Sequence, residues 1–216
     1  MKKIIVFMIL FGFAAVPAKA ALIYNTGEGL NPGTSTTLGD LDTNYSLWFY
    51  NPGDISSYDI LTSGIEKDAY AIIKHPNWIS PPIGSDSEWI APTLYTVTDT
   101  GGLYVYTTTF NLSSTDGVSL SGDWATDNSA KIYLNGTDTG ITKGWTGFTV
   151  LSSFDITSGF QLGENTLEFR VINGNETSGN PTGLLVTNLS LVPVPATIVL
   201  GFLGLGVGGW KLRKSM

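Results

Sequence analysis

Between residues 21 and 191 the chain is built from short apolar runs separated by Gly, Asn, Asp, Ser and Pro. These runs predict strands at Leu22–Tyr24, Tyr45–Tyr50, Ala69–Ile73, Leu94–Thr98, Leu103–Leu112, Val118–Ser121, Ala130–Leu134, Gly147–Phe154, Asn165–Ile172 and Leu184–Leu191. The alternation is clearest where Leu167, Phe169 and Val171 flank Glu168 and Arg170, and where Ile132 and Leu134 alternate with Lys131 and Tyr133. One apolar and one more polar face per strand is the pattern of a packed antiparallel sheet. No window in this body sustains a helical period. Turn chemistry agrees: Asn135-Gly136 reads as a tight hairpin, Asn173-Gly174-Asn175 closes one strand, and Pro181-Thr182-Gly183 precedes the last. Asn31 to Asp42 reads as a long loop, and no internal repeat is present. The prediction is an all-β fold, a two-sheet jelly-roll sandwich.

The ends follow other rules. Lys2 and Lys3 precede an apolar run, Ile4 to Val16, and then Ala18-Lys19-Ala20. That order is a basic region, a hydrophobic region and an A-x-A cleavage site, so residues 1–20 are expected to be a signal peptide. At the other end Pro193 and Pro195 cannot continue a central strand. An uncharged, Gly-rich segment from Ala196 to Trp210 follows, and Lys211, Arg213 and Lys214 close the chain. Basic residues after an apolar segment hold an end in the cytoplasm. A transmembrane helix over about 196–210 is therefore expected, short against the roughly 20 residues of a full span. The body, residues 21–191, is expected to be one domain.

Charge divides along the same boundaries. Six of the 11 basic residues lie in the leader and tail, and all 18 acids lie in the body, which carries 5 − 18 = −13. A body this acidic is repelled by phosphate backbones, so no nucleic-acid partner is expected. The absence of cysteine excludes disulfides, thiolate metal sites and cysteine catalysis. A single histidine, His75, excludes a multi-histidine metal site.

The tail Val192-Pro193-Val194-Pro195-Ala196-Thr197, its Gly-rich apolar stretch and its basic end resemble the PEP-CTERM sorting signal of Gram-negative bacteria, a segment also called an ice-binding protein C-terminal domain. The family pattern has Glu where this chain has Val194. The resemblance implies export, retention in the inner membrane, and processing by an exosortase-type enzyme toward the cell surface or the extracellular polysaccharide layer. Further segments resemble, in order, the galactose-binding-like jelly roll that many such proteins carry. They are Asn25-Thr26-Gly27, Ser87 to Pro92, Tyr104 to Phe110, Gly122 to Asn128, Leu134-Asn135-Gly136, Gly163 to Leu167 and Asn180 to Leu184. That resemblance implies the fold, not a ligand.

Candidate chemistry is sparse. His75 has no recognisable nucleophile partner and no Gly-x-Ser-x-Gly elbow accompanies it, so it reads as a loop residue. Glu164 and Glu168 share a strand face, but acids there are normally solvated rather than paired across a cleft. Asp123, Asp127 and Asn128 offer oxygen ligands at short spacing that would suit a structural Ca2+, though Asp and Asn at such spacing more commonly serve a turn. Trp145, bracketed by Gly144 and Gly147, is the best sugar-stacking platform, with Asp127 and Asn128 as polar ligand-binding partners. Trp48 and Trp124 are expected in the core, while Trp89 could go either way. Thr96 and Thr98 with Thr107 and Thr109 would give only two short threonine rows, too little for an ice-binding face. These readings converge on an exported, non-catalytic surface or matrix protein, binding polysaccharide or another surface component. A self-associating structural protein and, further off, a glycan-active enzyme are the alternatives.

Overall fold

The computed structural model describes residues 21–51, 57–174 and 180–192. The expected signal peptide (1–20), the helix over 196–210 and the tail residues Pro193, Pro195, Ala196, Thr197, Lys211, Arg213 and Lys214 lie outside the described residues. Among the described residues no helix is long and apolar enough to cross a membrane.

Among the described residues eleven strands run in chain order: β1 (Ser46–Tyr50), β2 (Ile65–Lys67), β3 (Tyr70–Ile72), β4 (Trp89–Ala91), β5 (Gly102–Leu112), β6 (Ser119–Asp127), β7 (Ser129–Leu134), β8 (Thr137–Lys143), β9 (Ser152–Ile156), β10 (Gly163–Asn173) and β11 (Gly183–Val192). They form a six-stranded sheet, β2-β1-β5-β10-β7-β8, and a five-stranded sheet, β3-β4-β11-β6-β9. The last eight strands pair in a nested series: β7 with β8, β6 with β9, β5 with β10 and β4 with β11, all antiparallel. That nesting is a four-strand-deep hairpin rolled over two sheets, which is the jelly roll. β1 and β2 extend the first sheet and β3 the second.

Alternating side chains fill the space between the sheets. Leu167, Phe169 and Val171 of β10 meet Leu120 and Trp124 of β6 and Leu184 and Val186 of β11 in the main core. A second apolar cluster, with Trp78, Trp89, Ala125 and Leu185, covers the outer face of the five-stranded sheet. The β7–β8 turn is the one the sequence signalled, with Asn135 (φ 51°) and Gly136 (φ 75°) both left-handed.

Several local expectations are corrected. Leu22–Tyr24 is not a strand, and Leu94–Thr98 is turn and irregular backbone. The strand there is β4, formed by the more fully buried Trp89–Ala91. Gly147–Phe154 divides into a 3-10 turn, Gly147–Thr149, and β9. The polar edge strands β2 and β8 have too few apolar positions to be visible in the pattern. Trp124 is buried as expected, whereas Trp48 is 37% exposed on the outer face of the six-stranded sheet, because its strand points Leu47 and Phe49 inward instead.

Candidate functional site

β6 runs on to Asp127, so Gly122–Asp127 is strand rather than the expected turn. Its even-numbered side chains Leu120 and Trp124 face the main core, leaving Asp123, Ala125 and Asp127 on the outer side. Asp123 and Asp127 are thus about 13 Å apart along the strand, at roughly 3.3 Å per residue. The Asp123 carboxylate accepts from Asn188 Nδ2 (2.8 Å) and Ser153 Oγ (2.6 Å), and these donors hold it below the usual carboxylate range. Asp123, Asp127 and Asn128 therefore do not form one cation site. Among the described residues no three His, Cys, Asp or Glu side chains cluster as a metal site.

Asp127 and Asn128 instead line a cleft of about 190 Å3 together with Trp145. Four chain segments build it: the β3–β4 loop supplies His75, Asn77 and Trp78, the β6–β7 reversal Asp127 and Asn128, the β8–β9 connection Trp145 and Phe148, and the β10–β11 connection Asn180. The buried Asp127 carboxylate accepts from Trp78 Nε1 (2.8 Å) and from the Asn128 amide, so it fixes the indole that forms one wall. Trp78 stacks on Trp89 with ring centroids 4.3 Å apart. Asn128 Oδ1 accepts the Gly174 amide (3.1 Å), and Asn180 Nδ2 donates to Gly174 O (2.8 Å). These bonds orient the buried side chains of Asp127, Asn128 and Asn180 at the cleft floor, as burial requires.

Trp145 is the open element, 46% exposed. Its outer ring carbons press on Gly174, where a Cβ would meet Cη2 at 2.7 Å. The loop that carries it is tied at both ends. Lys143 Nζ donates to Val150 O and Ser152 Oγ, both at 2.7 Å, and the Ile79 amide donates to Phe148 O (2.8 Å). Burial pushes the Lys143 ammonium down to about 8. His75 rests edge-on against Tyr95 at 5.5 Å, and its Nδ1 accepts the Asn77 amide (3.1 Å). Burial, reinforced by the Lys74 charge, lowers its proton affinity. It belongs to the cleft wall, a role that a lone histidine in a loop does not signal.

The other sequence candidates lie elsewhere. Glu168 is held by Arg170, with contacts of 2.8 Å to Nε and 2.6 Å to Nη2, on the outer face of the six-stranded sheet, and Glu164 lies near the opposite end of β10 from the cleft. Thr96 and Thr98 are not in a strand, so the second threonine row does not exist. Val192 is the exposed last residue of β11. A larger cavity of about 260 Å3, between Leu134, Thr139, Ile141, Asp155 and Ile156, contains no aromatic ring.

No family model and no curated protein matches the sequence. Solved structures with a related outline include a family 35 carbohydrate binding module from Clostridium thermocellum, at 12% identity and TM-score 0.36, spanning 69% of this chain and 99% of that one. A β-glucosidase from Kluyveromyces marxianus aligns at 13% identity and TM-score 0.34, over 69% of this chain but only 15% of its own. A β-glucuronidase from Ruminococcus gnavus aligns at 12% identity and TM-score 0.41, over 81% of this chain and 30% of its own. Likeness at this level carries no assignment of ligand or activity. The jelly roll rests on the strand pairing itself.

Proposed function

We propose that the protein is an exported, non-catalytic carbohydrate-binding β-sandwich that takes a polysaccharide segment at the Trp145 cleft. The observation that carries this reading is the composition of the cleft. A half-exposed indole stands beside the amides of Asn77, Asn128 and Asn180 and the fixed wall of Trp78. Sugars present apolar ring faces and dense hydroxyls together. Flat aromatics and oriented amides meet both demands. The engagement of Glu168 with Arg170 supports a non-catalytic role, since that carboxylate serves an ion pair rather than a cleft. The leader and the tail from Val192 support export and surface delivery, with an exosortase-type enzyme and the inner membrane as transient partners.

Affinity electrophoresis through gels containing soluble polysaccharides, among them the exopolysaccharide of the producing cell, tests the binding. Retarded migration of the wild type, abolished in Trp145→Ala, is expected. Unretarded migration across the whole panel overturns the reading. Intact-mass spectrometry of exported material tests leader and tail processing separately.

A further inference from the structure

The two poles of the sandwich differ in what leaves them. The Trp145 cleft lies at the pole where β6 ends and β7 and β11 begin. The opposite pole holds the ends of β5, β7, β9 and β11 and the starts of β6, β8 and β10. The strand pairing fixes this arrangement: Leu112 faces Gly163, Ser119 faces Val192 and Leu120 faces Ile156. β6 is nine residues long, so at roughly 3.3 Å per residue the poles lie about 26 Å apart.

Both terminal segments of the described body run to the second pole. β11 stops there at Val192. Near the other end of the body, the Thr26 amide donates to Val186 O and Asn25 Oδ1 accepts the Leu189 amide. Earlier residues thus meet later residues of β11, an antiparallel sense that sends residues 24 to 21 toward the same pole, with Ala21 and Ile23 packed on the main core. From Val192 to Ala196, where the apolar tail segment begins, there are four residue steps. Fully extended they reach about 14 Å, about half the height of the sandwich. A tether this short keeps the second pole next to whatever holds the tail.

The surface of that pole also differs from the sheet faces. Its three loops, 113–118, 135–136 and 157–162, contain a single charged residue, Asp116, although the body holds all 18 acids of the chain. Their exposed residues are otherwise Ser, Thr, Gly, Gln and Leu162, and Leu22 and Val192 are exposed beside them. The sheet faces carry outward acids, Asp59 and Glu66 on one and Asp123 on the other. A sandwich lying on its side would press those carboxylates against anionic headgroups, which repel them. An upright one presents a nearly uncharged, partly apolar pole.

Resting on the reading of the tail as an inner-membrane segment, we propose that the pole formed by loops 113–118, 135–136 and 157–162 sits on the phospholipid surface. Leu22, Leu162 and Val192 are its lipid contacts, and the Trp145 cleft points away from the bilayer. The anchored protein is then able to hold polysaccharide before its tail is processed.

The chain has no cysteine, so one introduced thiol accepts a bimane label selectively. The full chain is reconstituted in vesicles of phosphatidylethanolamine and phosphatidylglycerol that contain a lipid with a nitroxide on its headgroup. Ser158→Cys places the label in a loop of the lipid-facing pole and Thr149→Cys places it beside the cleft, both at exposed positions. Loss of emission at residue 158 and unchanged emission at residue 149 are expected. Leu162→Glu should weaken the quenching at residue 158, and quenching that it leaves unmoved overturns the lipid contact. Equal quenching at the two labels, or stronger quenching at residue 149, overturns the orientation. Protein that does not float with the vesicles overturns both, since nothing then holds a pole to lipid. Polysaccharide retention by the same preparation is read separately. Its absence beside the expected quenching contrast overturns the cleft reading and leaves the lipid-facing pole in place.

Discussion

Gly174→Ala perturbs the cleft without deleting any of its walls. A Cβ at this position would lie 2.7 Å from Trp145 Cη2 and 2.8 Å from Cζ2. Carbon atoms rest at about 3.5–4.0 Å, so the indole must retreat by about 0.8 Å or more. The retreat is cheap, because Trp145 is 46% exposed and its outward side is solvent. Gly174 has no left-handed φ, so alanine brings no backbone strain. A stability change below about 1 kcal/mol is therefore expected, which moves Tm by less than about 4 °C. Ring stacking is worth about 0.5–1.5 kcal/mol, so displacing the platform should weaken polysaccharide binding by about 2- to 12-fold. Trp145→Ala, which also removes the contact area of an aromatic anchor, should cost about 2 kcal/mol or more, about 30-fold. Affinity electrophoresis gives the binding ratio and thermal melts followed by circular dichroism give the stability. Equal affinity for wild type, Gly174→Ala and Trp145→Ala would refute the role assigned to the ring, whatever the melts show.

Two further substitutions test the supports of the cleft. Trp78→Phe removes the 2.8 Å bond to the buried Asp127 carboxylate, and should cost about 1–3 kcal/mol, read as a fall in denaturation midpoint. Lys143 has a folded pKa of about 8 against 10.5 ordinarily, so between these values the unfolded chain binds more protons. Its contribution is constant below about pH 8 and makes stability rise with pH up to about 10.5, and Tm against pH should lose that slope in Lys143→Met.

The alternation in β7 and β10 is legible in the sequence because one face of each strand lies in the main core while the other is more polar, so burial writes a period of two. β8 is invisible by the same logic: an edge strand with Thr137, Asp138, Gly140 and Thr142 largely exposed has no apolar face to display. The 122–128 segment misled because Gly, Asp and Asn favour turns in isolation. Here tertiary pairing of β6 with β9 and β11 overrides that preference. Trp145, Asp127 and Asn128 could be singled out locally, since each sits in a conspicuous motif. Trp78 and Asn180 could not be joined to them, because only the nested strand pairing brings residues 78, 128, 145 and 180 to one end of the sandwich.

Exposure alone does not select the binding surface, because Trp48 is nearly as open as Trp145, at 37% against 46%. The two differ in their neighbours. Across the strands Trp48 faces Glu66 and Val105, and Val105 in turn faces Arg170. Five charged side chains of this sheet, Arg170, Glu168, Asp59, Lys131 and Asp138, are already committed to one another. Arg170 binds Glu168 at 2.6 Å and Asp59 at 3.3 Å and lies 3.6 Å over the Tyr133 ring, while Lys131 binds Asp138 at 2.7 Å. No side-chain amide stands among the cross-strand neighbours of Trp48, so a sugar stacked there would gain a ring contact and little to fix its hydroxyls. Trp145 has Asn128 and Asn180 lining the same cleft. Trp48→Ala should accordingly leave polysaccharide affinity within about twofold of the wild type, under conditions where Trp145→Ala loses about 30-fold. Both are measured in one gel series against the same polysaccharide. If Trp48→Ala abolishes retardation and Trp145→Ala does not, the sugar lies on the open face of the six-stranded sheet, and the amide-lined cleft is not the recognition site.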